Sequence, residues 1–311
     1  MATDVAPRVI APNIHRDLAR AISAIENGYG SAEAAGATLP PNDAPAAYVI
    51  GVTGPPGAGK STLVDRLIEG FRDGGESVAV IAVDPSSPFT QGAVLGDRVR
   101  MQRHAGDAGV FIRSMASRES GGGLAPTTHH AIGLASRAGF DVIIVETVGV
   151  GQVELEIVGV ADVVMVVTVP ALGDSVQTIK AGLTEIADLF VVNMADRPGA
   201  NRTAVELKLM VRESARDVRV VQTIASDGTG VADVMDALRD ARQNHSSNAT
   251  RAVRFDVLRS VRDRAVRAAV TALDGAAARD VFARLRAHEL TRADARAALL
   301  AIATEEAFDA H

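Results

Sequence analysis

The stretch GPPGAGKS, Gly54 to Ser61, lies between an apolar run, YVIGVT, and an amphipathic run, STLVDRLIEGF. Few backbones accommodate that order. Glycines at the first and sixth positions let consecutive N–H groups curl around an anion, and the helix that follows adds its N-terminal dipole. The spacing G-x-x-x-x-G-K-[ST] places a lysine and a hydroxyl at the mouth of that helix. Gly54, Pro55, Pro56, Gly57, Ala58, Gly59, Lys60, Ser61 and the adjoining Thr62 are therefore the candidate cradle for a nucleotide's phosphates. Lys60 is expected to reach the β- and γ-phosphate oxygens and the Ser61 hydroxyl to ligate Mg²⁺. A chance glycine turn would share the letters without the strand before and the helix after.

The rest of the chain fits a sheet built around that loop. From Ala47 onward YVIGVTG, VAVIAVD, VFIRSM, DVIIVETVG, DVVMVVTVP, LFVVNMAD and VRVVQTIAS alternate with helical stretches. Continuous apolar strands separated by helices are what a parallel sheet covered on both faces requires. The expected fold class is α/β: a P-loop NTPase three-layer fold with a mostly parallel central sheet, plus N- and C-terminal helical extensions. The boundaries read as an N-terminal helical extension over 1–46, a nucleotide-binding domain over 47–242 and a helical arm over 243–311. In the first segment Ile14, Leu18, Ile22 and Ile25 recur at helical spacing, with Gly28 as the stop. In the last, Val253, Val257, Val261, Ala265 and Leu273 do so, then Leu285, Leu290, Ala293, Ala297 and Leu300 suggest a second pair of short helices.

Composition narrows the partners. A net charge of −6 argues against nucleic acid. The absence of cysteine removes disulfides, thiolate metal sites and cysteine nucleophiles. The apolar runs fall far short of the ~20 residues of a bilayer span, and the N-terminus lacks a signal peptide's apolar core. No membrane span and a cytoplasmic location are expected.

Polar residues at the carboxyl ends of the strands carry the chemistry, because ligands bind there in such sheets. Asp84 ends VAVIAVD and Glu146 ends DVIIVE; an isolated acid in either place would be a helix cap, but beside a phosphate loop it is a candidate Mg²⁺ ligand, direct or through water. ETVG has the spacing of a GTPase D-x-x-G element with glutamate for aspartate, so the Gly149 N–H would meet the γ-phosphate. No glutamine follows Gly149 directly, and slow intrinsic turnover is expected. Asn193 and Asp196 occupy an N-x-x-D pattern, which alone could be a strand-closing turn. With the phosphate loop it reads guanine: Asp196 would accept from N1 and N2, and backbone N–H groups near Ala225 and Ser226 would face O6. Met194 stands where lysine is usual and supplies an apolar stem without the charge.

GPPGAGKSTL, IAVDPSSPFTQGAVLGDRVRM, RSMASRESGGGLAPTT, VETVGVGQVE and GDSVQTIKAGLTEIAD together resemble the MeaB/ArgK group of P-loop GTPases, whose mitochondrial relatives are the methylmalonic aciduria type A proteins. The resemblance runs from about Ile14 to Gly230. It implies a GTPase chaperone of adenosylcobalamin-dependent methylmalonyl-CoA mutase, cycling GTP/GDP with Mg²⁺ and acting as a homodimer. By position it implies a phosphate role for Lys60, a metal role for Ser61, a first mobile region containing Asp84 and Asp97, and a Walker-B-like place for Glu146. It also implies a partner-signalling switch in ALGDSVQTIKAG with Asp174, Gln177 and Lys180, and Met194 departs from its usual lysine.

Two other functions compete on the same fold. One is an accessory ATPase or kinase of a lysine/arginine/ornithine transport system; the other is a small-molecule kinase, for which no second polar constellation forms an acceptor pocket. Arg98 as an arginine finger is a further expectation, while His129 and His130 read as helix-start residues rather than metal ligands. The missing cysteines disfavour zinc or nickel delivery.

Overall fold

The computed structural model describes residues 7–29, 36–39, 46–85, 102–104, 106–117, 126–147, 157–170, 186–213, 218–243, 270–287 and 289–309. The chain divides into two compact units, 1–252 and 253–311.

In the first unit seven parallel strands form one sheet: β1 Tyr48–Thr53, β2 Val78–Pro85, β3 Val110–Ser117, β4 Val142–Thr147, β5 Val163–Thr168, β6 Leu189–Val192 and β7 Arg219–Gln222. All seven apolar runs of the sequence become strands, in the order β3-β2-β4-β1-β5-β6-β7. Every residue of β1, β4, β5 and β6 is buried, which explains their unbroken hydrophobicity; β3 and β7, at the two edges, carry polar residues and are only partly buried. The phosphate loop leaves β1 at the centre, where later strands depart in both directions. That point is where open α/β sheets bind ligands.

Among the described residues five helices accompany the sheet: α1 Pro12–Glu26, α2 Lys60–Asp73, α3 Pro126–Arg137, α4 Ala200–Glu213 and α5 Val231–Gln243. Helix α2 buries Leu63, Val64, Leu67, Ile68 and Phe71, one stripe at three-to-four spacing, into a core shared with Ile50, Ile144, Met165 and Leu238. Helix α1 opens on a proline, buries Leu18, Ala21, Ile22 and Ile25 and packs against α3; Gly28 follows with φ of 73°. His15 on α1 lies edge-on to Phe111 and Phe140, at 5.9 and 5.7 Å, and its Nε2 meets the Ala108 carbonyl at 3.1 Å. Burial lowers its pKa from the ordinary 6.5, against a smaller opposing effect of that carbonyl.

A repeated device closes the amino ends of the strands. Asp162, just ahead of β5, donates its N–H to the Val49 carbonyl at 2.8 Å and accepts the Val49 N–H on Oδ2 at 2.8 Å. Asp188, ahead of β6, clamps Val164 in the same way at 2.8 and 2.8 Å, and Asp141, ahead of β4, clamps Ser77. Each carboxylate thus pins the register of the neighbouring strand. Asp162→Ala should lower unfolding free energy by about 2 kcal/mol and Asp162→Asn by about 1, the difference between losing and weakening a charge-assisted bond. Urea unfolding checks this, and nucleotide affinity should not change because Asp162 sits at the opposite end of the strands from the phosphate loop.

The second unit holds α6 Ala276–Arg286 and α7 Arg292–Asp309, which pack together. Thr291 caps α7 reciprocally: its hydroxyl accepts from the Asp294 N–H at 3.2 Å and donates to the Asp294 carboxylate at 2.6 Å. Ala278, Val281 and Ala295 are buried, whereas Leu300 is exposed, so the expected inward stripe is shifted. Val253, Val257, Val261 and Ala265 lie outside the described residues, as does the side chain of Ala293. Among the described residues no helix is long and apolar enough to cross a membrane.

Candidate functional site

The phosphate loop is shaped by two glycines that nothing else could replace. Gly54 has φ of 137°, and a Cβ there would lie 2.0 Å from the Val167 carbonyl oxygen of β5. Gly59 has φ of 80°, and a Cβ there would lie 2.4 Å from the Asn193 Nδ2. The bare Cα of Gly59 is what admits the Asn193 amide into the loop.

Lys60 and Ser61 open α2 and are buried, each 6% exposed. The Lys60 ammonium donates to the carbonyls of Gly54 at 2.7 Å and Pro55 at 3.0 Å, which holds the charge over its own loop. Thr62, next along, is exposed. The Ser61 hydroxyl donates to Glu146 Oε1 at 2.8 Å. Glu146 is 1% exposed, on β4 in register with Val52 of β1 and Ala82 of β2. A hydroxyl beside a carboxylate at the foot of a phosphate cradle is an all-oxygen donor pair, the chemistry that suits Mg²⁺. Among the described residues no cluster of three or more His, Cys, Asp or Glu is placed to hold a metal ion. His129 and His130 begin α3, His130 exposed.

At the base-reading end Asn193 is 2% exposed and binds in three directions. Its Nδ2 donates to the Ala58 carbonyl at 2.9 Å; its Oδ1 accepts the Ala225 N–H at 3.0 Å and the Thr223 hydroxyl at 3.1 Å. Asn193 is thus a brace between the phosphate loop and the turn after β7. This corrects one expectation: the Ala225 N–H is taken by Asn193, so of the two backbone groups expected to face O6 only that of Ser226 remains. Asp196 is exposed at the end of the same loop. Between them Met194 has φ of 56°, the one non-glycine residue with positive φ among those described, and is half-buried against the core. Bonds on either side impose that conformation: Asn193 N–H to Thr168 O at 2.8 Å and Ala195 N–H to Thr223 O at 3.0 Å. The turn itself is stiffened by Asp227, whose carboxylate accepts the Thr229 N–H at 2.8 Å and is held below the ordinary carboxylate range mainly by that bond.

Asp84 lies near the end of β2, its backbone paired with that of Ala116. Asp97, Gly149, Asp174, Gln177 and Lys180, with Arg98, lie outside the described residues. Sequence reasoning missed Arg66 of α2, which binds the carbonyls of Ala225 and Ser226, and it missed Thr223. A charged residue on an amphipathic helix reads as solvated surface, and only a three-dimensional neighbour distinguishes it.

The geometry agrees with what comparison finds. A family model described as methylmalonyl Co-A mutase-associated GTPase MeaB matches residues 18–273. A protein named as a GTPase in Pyrococcus abyssi is 57% identical over 204 residues, covering 63% of this chain and 63% of that protein. The mitochondrial methylmalonic aciduria type A homolog of Mus musculus is 37% identical over 204 residues, covering 63% of this chain and 49% of that protein. The match thus spans less than two thirds of either relative's length. Among solved structures, that of a protein named LAO/AO transport system kinase superposes with a TM-score of 0.62 at 25% identity, covering 92% of this chain and 94% of that one.

Proposed function

The chain belongs to the MeaB family of methylmalonyl-CoA mutase-associated GTPases, and we propose that it binds GTP with Mg²⁺, hydrolyses it slowly, and uses the cycle to regulate an adenosylcobalamin-dependent methylmalonyl-CoA mutase. The observation that carries the nucleotide half is the Asn193 brace. It ties a phosphate cradle containing Lys60 and a Ser61–Glu146 pair to the loop that presents Asp196. One ligand with phosphates at one end and a purine at the other would span the two loops that this linkage joins.

In this reading Lys60 stabilises charge on the β- and γ-phosphates, and Ser61 and Glu146, with Asp84, hold the metal, which would polarise the phosphate oxygens. Asp196 selects guanine, because adenine offers no N1–H and N2 donors. Gly149 and Asp97 belong to the segments that respond to the γ-phosphate, and Asp174, Gln177 and Lys180 to the segment that signals to the mutase. Homodimerisation and a cytoplasmic setting complete the proposal. The family description and the mouse relative support the client.

The test is phosphate release from GTP and from ATP with Mg²⁺, with and without the mutase from the same organism. Turnover of GTP that the mutase accelerates, with ATP inert, is expected. Equal turnover of ATP removes the base-reading argument; GTP turnover indifferent to the mutase removes the client. The structure named as a transport system kinase is the observation behind the transport-kinase alternative. It requires the γ-phosphate to reach a protein acceptor rather than water, which labelled GTP in the same assay distinguishes.

A further inference from the structure

The turn after β7 is held from α2 by one side chain. The Nε of Arg66 donates to the Ala225 carbonyl at 3.1 Å and its Nη2 to the Ser226 carbonyl at 2.7 Å, while Nη1 meets Glu69 at 3.1 Å. Glu69 also pairs with Arg103, at 2.6 Å, and Arg103 in turn binds Asp65 of α2. The guanidinium is a rigid fork, so grasping two consecutive carbonyls fixes the peptides that carry them.

The peptide between Ala225 and Ser226 is planar and trans, so the Ser226 N–H points opposite to the Ala225 carbonyl. With that carbonyl drawn onto Arg66, the N–H is turned away from the guanidinium. Its neighbours are committed elsewhere: the Ala225 N–H to Asn193, the Asp227 and Gly228 N–H groups to the Ile224 carbonyl at 3.2 and 3.0 Å, and the Thr229 N–H to Asp227. No acceptor among the described residues takes the Ser226 N–H, and Ser226 is exposed.

We infer that Arg66 is a positioning residue for base recognition: by gripping the Ala225 and Ser226 carbonyls it aims the Ser226 N–H at the O6 of the bound purine. The inference rests on the guanine reading above. It makes Arg66 responsible for one edge of the base, while Asp196 on the β6 side reads N1 and N2.

Titration calorimetry with GDP, IDP, 2-aminopurine riboside diphosphate and ADP separates these roles. IDP lacks the N2 amino group, and the 2-aminopurine nucleotide lacks O6 together with the N1–H that accompanies it. In the unmodified protein, loss of O6 and N1–H together should weaken binding roughly a hundredfold, the size of two oriented hydrogen bonds, and the share that belongs to O6 is read from the Arg66 variant. In Arg66→Ala, GDP should weaken roughly tenfold, the size of the O6 bond alone, the 2-aminopurine nucleotide should change little, and the GDP-to-IDP ratio should stay as it was. Proportional loss of GDP, IDP and the 2-aminopurine nucleotide in Arg66→Ala would mean general loosening of the site and would overturn the inference while the guanine reading stood. If the unmodified protein bound ADP as tightly as GDP, the guanine reading would fall and this inference with it. A thermal melt establishes that Arg66→Ala is folded. Should it not be, Arg66→Lys, which keeps stem and charge but loses the fork, carries the same measurement.

Discussion

Lys60→Ala is expected to fold normally and to turn over GTP about a thousandfold more slowly, the upper end of what one preorganised donor contributes to a charged transition state. The asymmetry between stability and activity follows from where the side chain is. Its ammonium is 6% exposed and rests on the Gly54 and Pro55 carbonyls, so its removal loses those hydrogen bonds but also the cost of keeping a charge out of water. Those terms oppose each other, and the change in unfolding free energy should stay within about 1 kcal/mol. Nothing offsets the loss during hydrolysis, because charge that builds on the γ-phosphate needs a fixed cation and water cannot be organised there as quickly. Lys60→Arg should recover little, since a planar fork does not replace a compact ammonium lodged between adjacent loop carbonyls. The check is phosphate release at saturating GTP alongside a thermal melt. A Lys60→Ala rate within tenfold of the unmodified protein would mean that hydrolysis happens elsewhere.

What the sequence disclosed and what it withheld divide along a physical line. The inner strands were legible because parallel strands buried on both faces leave few polar positions to confuse the pattern, and Gly54 to Ser61 was legible because a backbone cradle demands glycine at fixed intervals. An acid beside an apolar run is a different matter. Asp141, Asp162 and Asp188 precede their strands and clamp a residue at the amino end of the neighbouring strand, whereas Glu146 lies near the end of its strand and meets Ser61. Position relative to the strand suggests the distinction, but only the register shows which backbone each carboxylate reaches. Arg66 was invisible for a related reason: its partners are carbonyls of the turn after β7, brought near only when β7 joins the sheet beside β6. Met194 is a local surprise. Its letter suggested a side-chain exchange, yet its backbone has φ of 56°, a conformation set by bonds to Thr168 and Thr223 that no single-residue preference reveals. The N-x-x-D pattern singled out Asn193 without giving its side chain a partner, since a motif names a place and the three partners define the work.

That work makes Asn193 the residue whose loss should be felt most widely in the fold and the site together. In Asn193→Ala the Ala58 carbonyl, the Ala225 N–H and the Thr223 hydroxyl all lose a partner, and Ala58, Ala225 and Thr223 are each buried to within 2%. Each orphaned group costs on the order of 1–3 kcal/mol when nothing replaces the bond, and partial relaxation should bring the total to about 3. Asn193→Asp tests the direction of each bond. Its shape is the same, and one oxygen still accepts from Ala225 and Thr223, but a second oxygen replaces the Nδ2 that now donates to the Ala58 carbonyl at 2.9 Å. Ionised, that carboxylate is buried and opposes a carbonyl, so its folded-state pKa must be raised above the unfolded value. A raised pKa contributes stability that is present at low pH and lost as pH rises through the folded value. Relative to the unmodified protein, Asn193→Asp should therefore gain stability on acidification, when a protonated carboxyl can donate to Ala58, whereas Asn193→Ala should not. Urea unfolding across that pH range reads the difference directly. Nucleotide affinity should fall in both variants at neutral pH, because the phosphate loop and the base loop no longer share a brace. If Asn193→Ala bound GDP as tightly as the unmodified protein while unfolding more easily, Asn193 would be holding the fold together without aligning the two ends of the ligand.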